Sequence, residues 1–328
     1  MPTRILRAAG LAATAVACLI ALPATAGATK PADLRVVDSS GETLAEHTQY
    51  TGKTKIRARG RADCFGDGTG GSGSKVTVPR ATALGVTHDA GKVDRDIKPT
   101  LVTDAFDFGL GVCGFGNAVA PQTGYWYLKI NRVGSQVGGD QARLKAGDKV
   151  LWYLIEDFND PVPAELRLKA PARTTGSYTV RVWSYADDGS RVPAQGATVE
   201  GAADPTDADG RTTVTPGVTN SDGAGALVET RATMPGAIPS NVETTCVADD
   251  LSVCQAKPPT TIAGSKRGEV IRGTRGNDTI DPGRGKDKVR AGRGDDVIDV
   301  RGGGKDIVRC GGGNDTVRSD KRDKLRGC

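Results

Sequence analysis

Between residues 273 and 318 an aspartate recurs every nine residues, at Asp278, Asp287 and Asp296, and then, after one inserted residue (Val300), at Asp306 and Asp315. Two residues before each stands a glycine, Gly276, Gly285, Gly294, Gly304 and Gly313; two after each stands an apolar residue, Ile280, Val289, Ile298, Val308 and Val317. Carboxylates at a fixed period are the oxygen donors that a hard dication gathers, and glycine allows backbone angles that other residues resist. One copy would mean little, but a fixed period over five units defines a repeat. Other chemistry has little to draw on. His47 and His88 are the only histidines, so a histidine base is poorly supplied. Neither His-Glu-x-x-His nor a Gly-x-Ser-x-Gly nucleophile elbow occurs. Gly52-Lys53-Thr54 has His47 where a phosphate loop needs glycine. Asp207, Asp209 and Gly210 fit part of an EF-hand loop, but Pro205 and Pro216 stand where acidic ligands are required. That segment reads as a turn, and the chain as a whole reads as non-enzymatic.

The unit Gly-Gly-x-Gly-x-Asp-x-apolar-x resembles the RTX, or hemolysin-type, nonapeptide. The resemblance implies a parallel β-roll with two nonapeptides per coil, so that Asp278 lies over Asp296, Asp287 near Asp306, and Asp296 near Asp315. Stacked carboxylates repel unless a cation sits between them. Ca2+ suits the gap because it accepts about six to eight oxygens in forgiving geometry. The implied metal ligands are Asp278, Asp287, Asp296, Asp306 and Asp315, with the backbone of the turns at Gly276, Gly285, Gly294, Gly304 and Gly313. The inward apolar residues make a core too thin to hold alone, which couples folding to calcium. An opening turn with Glu269 and Ile271 reads as a cap, and a closing partial turn carries Asp323 and Leu325. Arg275, Arg284, Lys286, Arg293 and Lys305 depart from the pattern by placing positive charge in the loops. Each should weaken calcium by roughly 1 kcal/mol at ~4 Å in water. Asp287 and Asp306, flanked by lysines, are the weakest ligands on this reading.

The elements that must carry this array are mainly strands. Residues 34–37, 124–130, 149–154, 178–185, 196–199 and 226–233 are β-branched, aromatic or alternating; only 81–90 and 102–106 look helical. Residues 1–28 read as a secretory signal peptide: Arg4 and Arg7, an apolar run over 10–22, then Ala24-Thr25-Ala26. Cys18 lies inside it, without the leucine usual before a lipidated cysteine. No later run is long and apolar enough to span a bilayer as a helix, so an extracellular protein is expected. Six cysteines remain after processing, an even number suited to an oxidising compartment. Their spacing suggests Cys64 with Cys113, Cys246 with Cys254 and Cys310 with Cys328, among about 15 possible connectivities.

Composition divides the mature chain into a domain at 30–165, a second at 166–256, a stiff linker at 257–263 with Pro258 and Pro259, and the repeats at 264–328. In the first, an aromatic strand at 125–131 and a second at 149–153, entered through Gly147-Asp148, make a hairpin-like core. This pattern resembles the DUF4430 family, which is similar to the C-terminal domain of transcobalamin and intrinsic factor. The resemblance implies a β-grasp-like architecture and, as an alternative function, binding of a small corrinoid-like ligand. Trp126 and Trp152 read more simply as core. In the second, residues 193–199 followed by 206–214, with Asp207-Ala208-Asp209-Gly210 as a turn joining two strands, resemble the carboxypeptidase-regulatory or Ig-like (prealbumin-like) β-sandwiches of bacterial surface proteins, which act as spacers. The fold class expected is therefore mainly β: a β-grasp-like N-terminal domain, a β-sandwich and a C-terminal parallel β-roll. Residues 264–328 carry 17 basic against 11 acidic side chains in a chain that is +5 overall. A basic tail outside the cell points to anionic cell-wall polymers before nucleic acid.

Overall fold

The computed structural model describes residues 29–61, 64–217, 225–254 and 259–328. The signal peptide expected at 1–28 and linker residues 257 and 258 lie outside them. The described chain is mainly β, with the α-helix Ala83–Ala90. No described helix is long and apolar enough to cross a membrane.

The first module begins with strands Lys30–Val37 and Thr43–Thr51, an antiparallel pair. Their turn is fixed by Asp38, whose carboxylate accepts from the Ser40 and Glu42 amides at 2.9 Å each. The helix follows, N-capped by the Thr82 hydroxyl, which accepts from the Gly85 amide. Strand Tyr125–Ile130 then pairs antiparallel with Asp148–Ile155, which returns parallel beside Lys30–Val37. A hairpin, a helix and a returning parallel strand make a β-grasp-like sheet. Trp126 and Trp152 are buried in its core, edge-on to Phe115 with ring centroids at 4.8 and 5.4 Å. Residues 102–106, expected to be helical, are not. Thr100–Thr103 is a strand paired with Gly111–Phe115, because a window so short carries no readable helical period while Thr100, Val102 and Thr103 favour extended backbone.

The second module packs a sheet containing Ala164–Lys169, Tyr178–Tyr185 and Arg211–Val214 over a smaller one containing Ala226–Thr230 and Glu243–Val247. Strict alternation sends Tyr178, Val180 and Val182 into the core with Leu166, Leu168 and Val214. Asp207 closes the turn before Arg211–Val214 by accepting from the Asp209 and Arg211 amides at 2.9 and 2.8 Å, with Gly210 at φ +72°.

The third module is a parallel roll. One ladder holds Thr261–Ala263, Thr279–Asp281, Val297–Asp299 and Thr316–Arg318, with Ile262, Ile280, Ile298 and Val317 in register. The facing ladder holds Val270–Arg272, Lys288–Arg293, Ile307–Gly312 and Lys324–Arg326, with Ile271, Val289, Val308 and Leu325 in register. Ile262, Ile271, Ile280, Val289, Ile298 and Val308 form one thin core, which Tyr50 of the first module joins and Val317 packs against, while Leu325 in the last coil is exposed. Thr261–Ala263, expected as linker, is the roll's first strand. It pairs parallel with Thr43–Thr51, so the roll's ladder continues the first module's sheet to nine strands. Cys64–Cys113, Cys246–Cys254 and Cys310–Cys328 form disulfides.

Gln49 fastens this junction. Its side chain is fully buried and donates from Nε2 to the Tyr50 and Gly264 carbonyls, both at 2.8 Å. Gln49→Ala strands the buried Gly264 oxygen and should cost about 1–3 kcal/mol, read as a lower denaturant midpoint at unchanged slope; a midpoint equal to that of the unsubstituted protein would contradict this role.

Candidate metal centre

The repeat aspartates line up in two columns. In one, the Glu269, Asp287 and Asp306 amides donate to Oδ1 of Asp287, Asp306 and Asp323 at 2.7, 2.7 and 3.0 Å. In the other, the Asp278 and Asp296 amides donate to Oδ1 of Asp296 and Asp315 at 2.8 and 3.0 Å. Each carboxylate therefore spends one oxygen on the backbone of the coil before it. Asp278, Asp287, Asp296 and Asp306 are at most 1% exposed, and the Oδ2 atoms of Asp287, Asp296 and Asp306 are buried with no hydrogen-bond partner. Buried carboxylate oxygens without a partner are costly unless a proton or a cation compensates them. The column ends are satisfied differently: Thr274 donates its hydroxyl to Asp278 at 3.0 Å, and Ser265 donates its hydroxyl and amide to Glu269.

The glycines act for two separate reasons. Gly294 and Gly313 have φ of +110° and +128°, in the region open to glycine. Gly285 and Gly304 do not; a Cβ there would come within 2.1 Å of the Arg267 oxygen and 2.3 Å of the Gly285 oxygen. Their role is to let successive coils approach, and not, as expected for all five, to adopt a backbone angle that other residues resist. Gly276, the remaining repeat glycine, is buried, and its amide donates to the Thr274 hydroxyl at 3.0 Å.

Gly303 adds a feature that the spacing did not predict. A Cβ placed on it would lie 2.9 Å from Asp306 Oδ2, 3.2 Å from the Gly283 oxygen and 3.4 Å from the Gly285 oxygen. Three oxygens thus face one small space that only a glycine leaves open, and one of them is an unpartnered carboxylate oxygen. Among the described residues no three His, Cys, Asp or Glu side chains converge on a metal position, so carboxylates alone do not make a cage. A mixed set of one carboxylate and several carbonyls is the donor chemistry Ca2+ accepts, and the cradle at Gly303 fits it. The loop cations Arg275, Arg284, Lys286, Arg293 and Lys305 are all exposed, where solvent screens them.

Residues 264–298 and 302–318 match the family model of the RTX calcium-binding nonapeptide repeat, in 4 copies. No curated protein and no solved structure matches the chain. RTX nonapeptide repeats bind calcium ions, and calcium is the cofactor of this segment.

Burial pushes the Asp287 carboxyl up to about 7, with the charges of Glu269 and Asp306 adding to the rise. Burial likewise pushes Asp296 up to about 6, with Asp278 and Asp315 adding. The unfolded chain releases these protons near pH ~4. The metal-free fold therefore holds protons that the unfolded chain has lost, and its stability falls as pH rises from about 4 to 7. In chelator, the melting temperature of the protein should drop across that interval, and Asp287→Asn with Asp296→Asn should flatten the drop. An identical slope in the double variant would contradict the assignment.

Proposed function

We propose that this chain is an exported, non-catalytic modular protein whose C-terminal roll is locked by calcium outside the cell, the two preceding modules serving a binding or spacing role at the surface. The observation that carries the reading is the set of buried, unpartnered Oδ2 atoms on Asp287, Asp296 and Asp306 beside glycine turns that expose carbonyls. On this proposal the ligands come from Asp278, Asp287, Asp296, Asp306 and Asp315 with turn carbonyls, and the best defined position joins Asp306 to Gly283 and Gly285. Bound there, calcium supplies the positive charge that lets adjacent carboxylates stay ionised and close together. The residues themselves provide the oxygens, keep water from the column and hold neighbouring coils in register. The three disulfides support an oxidising compartment. The exposed loop cations support contact with anionic wall polymers. The corrinoid alternative has no comparable support, since Trp126 and Trp152 are core side chains.

Thermal unfolding of the full mature chain tests this reading. Calcium should raise the melting temperature over chelator, by the equivalent of about 2.7 kcal/mol per site at a hundredfold excess over Kd. Gly303→Ala should remove part of that rise by filling the cradle, while Gly312→Ala, where a Cβ meets nothing within 4 Å, should keep all of it. Equal melting in calcium and chelator would sink the proposal.

A further inference from the structure

The outer face of the larger sandwich sheet carries a row of cations that the calcium reading leaves unused. Along Tyr178–Tyr185 the alternation that buries Val180 and Val182 turns Arg181, Trp183 and Tyr185 to the opposite face. The neighbouring strands add to that face: Arg167 stands opposite Trp183, and Arg191 opposite Tyr185. The Arg181 and Arg191 guanidiniums lie 4.8 and 5.1 Å from the centre of the Trp183 ring. Arg191 also lies 6.0 Å from the Tyr185 ring, and Arg132, from the first module, completes the row 4.8 Å from that same ring.

Arg181 and Arg191, at the end of the row away from the first module, have no carboxylate partner among the described residues. Among the described residues no carboxylate makes an ion pair with Arg132, Arg181 or Arg191, and Arg167 has only Glu243 at 3.8 Å. Arg181 donates to the Asp209 carbonyl and Arg191 to the Tyr185 hydroxyl, both at 3.1 Å. Arg132 Nε is buried without a partner. The row ends at Arg132 and Arg167, which line a cleft of about 520 Å³ between the modules whose lining mixes their charges with Asp33, Glu46, Glu165, Glu229 and Glu243. Rings that hold guanidiniums in fixed planes preorganise them for bidentate contact with oxyanions. Along the strand, side chains on one face repeat every ~6.6 Å, which suits a ligand with regularly spaced charges. The Trp183 ring is already engaged by two cations, whereas nucleic-acid bases need open aromatic faces to stack on.

We propose that this face binds a linear polyanion of the phosphodiester-polyol type, its oxyanions seated on Arg181 and Arg191, with Arg132 and Arg167 at the cleft end of the row. The site belongs to a different module from the basic tail invoked above and shares with that reading only the chemistry of the partner.

Fluorescence anisotropy of labelled, short poly(glycerol phosphate) with the full-length, calcium-loaded protein tests the site. Saturable binding that weakens with salt is expected, and Arg181→Gln with Arg191→Gln should weaken it roughly tenfold. Trp183→Leu keeps the charge but frees the guanidiniums, so it should also weaken binding. Should that variant lose its melting transition, the double arginine variant carries the test alone. Lys53→Gln with Lys55→Gln, exposed cations of the first module outside both surfaces, should leave affinity unchanged. Wild-type affinity in the double arginine variant would overturn the proposal, as would an equal loss of binding in the Lys53 and Lys55 variant. Tighter binding of an oligothymidylate of equal charge would overturn it in favour of a nucleic-acid surface.

Discussion

A carboxylate has two oxygens, and inside this roll the backbone satisfies only one of them. The amide of each column residue reaches forward to Oδ1 of the aspartate a coil later, which ties successive coils together beside the strand ladders. What remains is a line of Oδ2 atoms in a place that excludes water. A proton or a dication must compensate them, and the two have opposite consequences. Protonation favours the folded state in acid, whereas a dication favours it where the carboxylates are ionised. The stability of the tail is thereby set by the medium around it.

A stack of short coils also needs its ends covered, since a terminal coil exposes core and unpaired strand edge. Here the two ends are handled differently. The first strand of the roll docks onto Thr43–Thr51, Tyr50 enters the roll's core, and Gln49 closes the seam. At the far end Cys328 is tied back to Cys310, a core residue of the roll. The first strand of the roll thus stacks on the N-terminal module's sheet, and Thr260 and Thr261 at its start also line the cleft between the modules.

Much of the roll is legible in the sequence because its physics is periodic. The nine-residue spacing of Asp and of Ile or Val fixes which residues stack and which point inward, and the register of Ile280, Ile298 and Val317 follows that spacing. The inserted Val300 is absorbed as a nineteen-residue coil, and the residue itself is buried in the core. What spacing cannot reveal are contacts made by backbone atoms or between distant segments. The amide-to-Oδ1 ladder, the carbonyls around Gly303 and the close approach at Gly285 and Gly304 all depend on where main-chain oxygens point. The pairing of Thr48 with Ile262 joins residues from opposite ends of the chain, so Thr261–Ala263 looks like linker until its partner is known. Likewise, the strand holding Arg181, Trp183 and Tyr185 is plain from alternation, but Arg132 reaches it from another module.

The central claim is that a divalent ion occupies the oxygen-lined space beside the aspartate columns. The most direct measurement is a high-resolution crystal structure of the mature protein grown in calcium, with anomalous scattering used to identify the ion. The account predicts a calcium peak coordinated by Asp306 Oδ2 and the carbonyls of Gly283 and Gly285. Ordered water, a lysine ammonium group or protonated carboxylates in that space, with no anomalous peak along either column, would contradict it.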